Sequence, residues 1–202
     1  MENAKSEDRE CISRKSAECV SRRARRKRLD IGDVVAGQGQ TILHTLLGSC
    51  VAVCLRDPVS GVGGMNHILV PSSTTDVGWT TRCGVQAMEL LINEVMKLGA
   101  DRRRLVAKAF GGANVLLGFQ SPTVGELNAS FVRQFLKDER IPLVAERLGG
   151  TSAVTVSFHL DSGEVIVRSV DGSRLPAILR NEATYYETGT AGRFRIEEPI
   201  LF

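Results

Sequence analysis

Residues 51–70 read VAVCLRDPVSGVGGMNHILV. Two β-rich runs flank Pro58-Val59-Ser60-Gly61, where proline presets φ and glycine supplies a left-handed residue. The stretch therefore predicts an antiparallel hairpin closed by a four-residue loop. In that register Asp57 faces Val62 and, counting back, Ala52 faces His67. Cys50 lies two residues from Ala52, so it shares the face of His67 as a diagonal neighbour, roughly 7–8 Å away between α-carbons. A two-residue loop would set the pair directly opposite, and a three-residue loop would put them on opposite faces. Loop length thus decides both the central strand pairing and whether a thiol and an imidazole can meet.

Working outward, DVVAG (33–37) and TILHTLL (41–47) read as strands broken by GQGQ, and PSSTTDVGWTT (71–81) reads as a loop. From Arg82 the period changes. Val85, Met88, Leu91, Ile92, Val95 and Met96 recur at three and four, which predicts a helix to about Leu98 with Gly99 as its stop. RLVAKAF (104–110) follows as a buried strand and GGANVLLG (111–118) as a loop. A second helix fits 125–138, with Leu127, Phe131, Val132 and Phe135 inward. IPLVAERLGG gives a strand and turn, and AVTVSFHLDSGEVIVRSV a hairpin turning at Asp161-Ser162-Gly163. The expected class is α/β, with much antiparallel pairing and two long helices on one side.

The chain has 202 residues, which suits one main domain with tails. Hydrophobic content is 43% and aromatic content 5%, so the core should be aliphatic. No apolar run approaches the roughly 20 residues of a membrane-spanning helix, and no signal-peptide core is visible, so a cytoplasmic location is expected. The net charge of +3 belongs to the N-terminus. Residues 1–30 hold 10 Lys/Arg and 6 Asp/Glu, leaving 16 and 17 for the remainder. That segment is expected to be a disordered basic tail with no aromatic residue to stack on bases, so no specific nucleic-acid partner is expected. Residues 31–170 form the expected domain, and 171–202 an extension that is draped on the body or mobile.

The odd count of five cysteines argues against a disulfide framework. Cys50 and His67 suit nucleophilic catalysis. An imidazole that takes the thiol proton leaves a thiolate, and the Gly48-Ser49 turn can aim backbone N–H groups at a developing oxyanion. Thiolate attack on an amide gives a thioester and releases ammonia, and water then hydrolyses the thioester. The competing reading makes Cys50 a buried thiol acting as a small hydrophobe. Cys54, four residues along the strand, reads as a core thiol. No P-loop, dinucleotide fingerprint or zinc-ligand spacing is present, and no cofactor or metal is expected.

LLGSCVAVCLRDPVSGVGGMNHILVP resembles the signature of the CheD family, the chemoreceptor glutamine deamidases. The likeness continues through GVQAMELLINEVMKLGADRRRLVAKAFGGANV, VGELN, IPLVAERLGG and DSGEVIV, covering about residues 31–170. The resemblance implies a three-layered α/β/β sandwich. It implies hydrolysis of selected glutamine side chains on the cytoplasmic helices of methyl-accepting chemotaxis receptors, and in some members of glutamyl methyl esters. It also implies association with membrane-embedded receptor arrays and, in some members, binding of a CheC-type phosphatase. The family's Cys-His-Thr triad maps its cysteine onto Cys50 and its histidine onto His67. Some members carry the threonine six residues before the cysteine, where this chain has His44, while Thr45 stands five before. Thr45, His44 or a backbone carbonyl is then the group that orients His67. Ser49 is a further candidate in the nucleophile turn. Gly111, Gly112 and Asn128 read as loop residues serving turn geometry. The alternative to catalysis is a non-catalytic adaptor of the same fold that binds receptor or phosphatase.

Overall fold

The computed structural model describes residues 24–69, 77–115, 122–170, 176–178 and 180–184. In chain order these form β1 (Arg25–Arg28), β2 (Val34–Gly37), β3 (Thr41–Leu47), β4 (Val51–Arg56), β5 (Gly63–Asn66) and α1 (Val77–Lys97). A short 3-10 turn (Arg102–Arg104) precedes β6 (Val106–Gly111), α2 (Val124–Asp138), β7 (Leu143–Leu148), β8 (Val154–His159) and β9 (Val165–Ser169).

The central hairpin has the predicted register. Cys54 faces Met65, Leu55 faces Gly64 and Arg56 faces Gly63, and the same count carries through to an isolated pairing of Val51 with Ile68. The ladder breaks in between, because the Asn66 side chain accepts the Val53 N–H at 3.0 Å. His67 instead donates its own N–H to the Asp33 carbonyl at 3.0 Å and accepts the Gly32 N–H at 2.9 Å. Asp57 closes the loop. Its buried carboxylate accepts from the backbone of Val59, Ser60 and Asp101 and from the Arg104 guanidinium.

The strands form two sheets, ordered β1-β3-β8-β9 and β2-β5-β4-β6-β7. Among the described residues only β1/β3 and β6/β7 are parallel, and α2 makes the crossover that the second of these requires. Strand β4 is buried on both faces from Val51 to Leu55, which is why those five residues are all apolar. Val51, Val53 and Leu55 pack against Met88, Leu91, Ile92 and Val95 of α1 and against Val132, Phe135 and Leu136 of α2. Cys50, Ala52 and Cys54 point the other way, toward Leu43 and Leu47 of β3 and Val156 and Phe158 of β8. The larger sheet is therefore a middle layer between helices and the smaller sheet, in the expected α/β/β order.

Several expectations need correction. The basic run 25–28 is a strand, not tail: β1 pairs in parallel with β3, and Leu29 behind it is buried in the core between the sheets. An edge strand can keep its charged side chains in water while its backbone pairs. Helix α1 starts at Val77, inside the predicted loop, and Val85 and Met96 at the margins of its stripe are exposed. Leu127 of α2 is also exposed, because the neighbouring Asn128 takes the inward position. The extension beyond residue 170 includes helical residues 176–178 and 180–184, with Ile178 and Glu182 buried. Residues 1–23 of the tail and 70–76 of the loop lie outside the described residues.

Candidate active site

The Gly48-Ser49-Cys50 turn bridges the two sheets between β3 and β4. It is held at three points. The Gly112 N–H donates to the Cys50 carbonyl at 2.7 Å and the Ala113 N–H to the Gly48 carbonyl at 2.9 Å. On the third side Asn128 Nδ2 donates to the Ser49 carbonyl at 2.9 Å. Asn128 is thus a helical residue that props the turn, not a loop residue. Gly111 is required in two ways: its φ is 104°, and a Cβ there would stand 2.3 Å from the Cys50 carbonyl oxygen.

Cys50 and His67 share the face of the middle sheet that looks toward the smaller sheet, as the four-residue loop requires. Both are buried, and so is Thr45. Thr45 points inward from β3 and reaches His67 across the inter-sheet space, with Oγ1 2.9 Å from Nδ1. Its hydroxyl also donates to the Leu29 carbonyl at 2.9 Å. A threonine has one hydroxyl proton, so toward His67 it can only accept. Nδ1 must therefore carry the ring proton, and Nε2 is left with a free lone pair. Nε2 is buried and has no hydrogen-bond partner among the described residues. Burial pushes the His67 imidazole down to about 4, against the pull of the Leu29 carbonyl and the carboxylates of Asp30 and Asp33. At neutral pH it is an uncharged base.

His44 alternates with Thr45 along β3 and belongs to the other face of its sheet. Its Nδ1 lies 3.0 Å from Ser157 Oγ, on the residue directly across from it in β8. Of the five candidates, Thr45 and His67 are in direct contact, Cys50 is buried on the same face of the middle sheet, Ser49 stands beside Cys50 in the turn, and His44 points to the other face of its own sheet. Cys54 is a buried thiol in the core between the sheets, as expected.

Two groups at the site were not named from the sequence, which offered a backbone carbonyl without saying whose. The Leu29 carbonyl is brought beside Thr45 by β1 and by the Leu29 N–H donating to the His44 carbonyl at 2.9 Å. The one sequence signal was a lone leucine closing a basic run. The second is Glu182, whose Oε1 accepts from the Ser49 N–H at 3.0 Å and from the Cys50 thiol at 3.3 Å. Its Oε2 accepts from the Ser49 hydroxyl at 2.8 Å. Burial, then the Glu182 charge and its hydrogen bond, raise the Cys50 thiol well above its ordinary value; the residue's own backbone pulls weakly the other way. Burial first, and Glu182 in addition, thus favour the protonated thiol over the thiolate.

The family model described as CheD chemotactic sensory transduction matches residues 69–169, beginning two positions after His67. The chain is 50% identical over 158 residues to a Stenotrophomonas maltophilia protein named "Probable chemoreceptor glutamine deamidase CheD", covering 78% of this chain and 76% of that one. It is 51% identical to the protein of the same name from Xanthomonas euvesicatoria, with the same coverage. A Chromobacterium violaceum relative, "Probable chemoreceptor glutamine deamidase CheD 2", is 47% identical over 157 residues, covering 76% of this chain and 77% of that one. With an inter-sheet cysteine and histidine on one face, and relatives of this identity across three quarters of their length, the chain belongs to the CheD family.

Proposed function

We propose that this chain is a protein-glutamine glutaminase converting glutamines on the cytoplasmic helices of methyl-accepting chemotaxis receptors to glutamate. The names carried by its relatives point to that substrate. The observation that carries the mechanism is the Leu29–Thr45–His67 chain, which supports a ring protonated at Nδ1 and basic at Nε2 on the face it shares with Cys50.

The steps follow from those roles. His67 Nε2 takes the Cys50 thiol proton, and the sulfur adds to the glutamine Cδ. The Ser49 N–H faces the charge that develops on the carbonyl oxygen. The C–N bond breaks as His67 returns its proton to departing ammonia, leaving a thioester. Water, deprotonated by the same nitrogen, cleaves the thioester and releases glutamate and the thiol. Thr45 orients His67 throughout without touching the substrate. Each turnover adds a negative charge to the receptor helix, enough to bias the packing between receptor states.

The same steps apply to a glutamyl methyl ester, with methanol leaving in place of ammonia, so receptor methylesterase activity is part of the proposal. So are association with receptor arrays in the cytoplasm and a CheC-type phosphatase as partner. No helix among the described residues is long and apolar enough to cross a membrane.

Intact-peptide mass spectrometry of a receptor cytoplasmic fragment, incubated with wild type or Cys50→Ala, tests the activity. The expected result is the amide-to-acid mass change with wild type alone. Binding by both proteins with conversion by neither would refute the enzyme and favour the adaptor.

A further inference from the structure

Glu182 projects a carboxylate from a helical segment into the nucleophile turn, and a carboxylate on a helix is the chemical product of the reaction proposed above. Its two oxygens are seated separately. Oε1 takes the Ser49 N–H, where the carbonyl oxygen of an attacked amide would lie, and stands 3.3 Å from the thiol. Oε2 takes the Ser49 hydroxyl, where the amide nitrogen would lie. A serine hydroxyl can donate to a carboxylate oxygen or accept from an amide NH2, so the same seat suits glutamate and glutamine.

The seating extends beyond one side chain. Ile178, one turn before Glu182, is buried with Ala113 and Val115. Gly48 is bare where the segment lies: a Cβ there would come within 2.8 Å of Ile178 Cγ2 and 2.9 Å of Glu182 Oε1. Arg180, Asn181, Ala183 and Thr184 are exposed, so the segment has an inward edge and an outward one.

We propose that the helical segment around Glu182 is an intrachain product mimic, occupying the seat of a helix-borne glutamine and masking Cys50 until a substrate helix displaces it. What is mimicked rests on the deamidase reading; that Cys50 is masked does not. With Glu182 in place the thiol proton is directed to a carboxylate oxygen, and the neighbouring negative charge opposes the thiolate. The Ser49 N–H is also engaged. All three effects hold the site off.

The test compares wild type, Glu182→Ala and Ile178→Asp by the rate at which iodoacetamide labels Cys50, read by peptide mapping, and by the initial rate on a receptor fragment. Both variants are expected to label Cys50 roughly tenfold faster or more and to deamidate faster by a similar factor. Equal labelling in all three proteins overturns the mask. Faster labelling in Glu182→Ala alone also overturns it, leaving only a charge effect on the thiol. Faster labelling in both variants with no deamidation by any protein keeps the mask and refutes the deamidase reading. Unchanged labelling with an active wild type does the reverse. In Glu182→Gln the seat holds an amide, and residue 182 is expected to revert to glutamate unless Cys50→Ala is also present. A persistent amide in a protein that converts the receptor fragment overturns the product-mimic geometry.

Discussion

Thr45 lies in β3 of the smaller sheet and His67 directly follows β5 of the larger one, and the 2.9 Å contact between their side chains spans the layer between the sheets. Neither residue fixes the other alone. The Leu29 carbonyl takes the threonine proton, which assigns the ring proton to Nδ1 and the lone pair to Nε2.

Thr45→Val keeps the shape but removes the acceptor for Nδ1–H and the donor for Leu29. We expect kcat to fall roughly ten- to a hundredfold, as for the loss of an orienting hydrogen bond in a catalytic chain, with Thr45→Ser recovering most of it. His44→Ala should leave kcat near wild type, since its ring meets Ser157 on the other face. Steady-state kinetics on a receptor fragment decide it, and a large loss in His44→Ala with none in Thr45→Val would reverse the assignment.

His67 offers a direct pH readout. Its protonation is suppressed to about 4 from an ordinary 6.5, so it stays neutral when folded while an unfolded chain would take up the proton. The unfolded state binds more protons in that window, so stability is fully present above 6.5 and declines as pH falls toward 4. Nitrogen-resolved NMR should show the Nδ1–H tautomer at pH 7 and a midpoint well below 6.5. A midpoint at or above that value would contradict the buried geometry.

Asn128→Ala strips the donor from the Ser49 carbonyl in a buried place. The cost should be about 1–3 kcal/mol of stability, the penalty of an unsatisfied buried group. The turn should also lose its aim, so kcat should drop more than KM rises. Denaturant melts and kinetics on the same preparation separate the two effects; unchanged values for both would show that the turn needs no prop from α2.

Asp57 ties the hairpin loop to the 3-10 turn through Arg104, and that guanidinium holds its carboxyl far below the usual carboxylate range. A depressed carboxylate contributes stability above its unfolded value, near about 4, and loses it as pH falls below that. Arg104→Ala should lower Tm at neutral pH and start acid unfolding at a higher pH than in wild type. Coincident acid transitions in circular dichroism would count against this account.

The sequence by itself determined the hairpin. Pro58 to Gly61 suit a four-residue loop, the one length weighed that makes Cys50 and His67 diagonal neighbours on one face, and the hairpin register agrees with it. Local φ preferences and a two-residue period suffice for that, and the family motifs named the same pair. The helix stripe of Met88, Leu91, Ile92 and Val95 was legible for the same reason, being a local period. The tertiary structure decided what the pair can do. Whether Thr45 or His44 meets the ring depended on how the two sheets face each other, which a strand's own alternation cannot say. The Leu29 carbonyl reached the site only because an arginine-rich run pairs as an edge strand, and its charge masked that backbone role. Asn128 looked like a turn residue until α2 carried it to the Ser49 carbonyl. Glu182, 132 positions from Cys50 in the chain, meets the thiol through docking of a short helical segment whose own sequence has too little periodicity to announce it. Local propensity acts over a few residues, whereas the site is assembled from contacts between residues far apart in the chain, and those exist only once the layers pack.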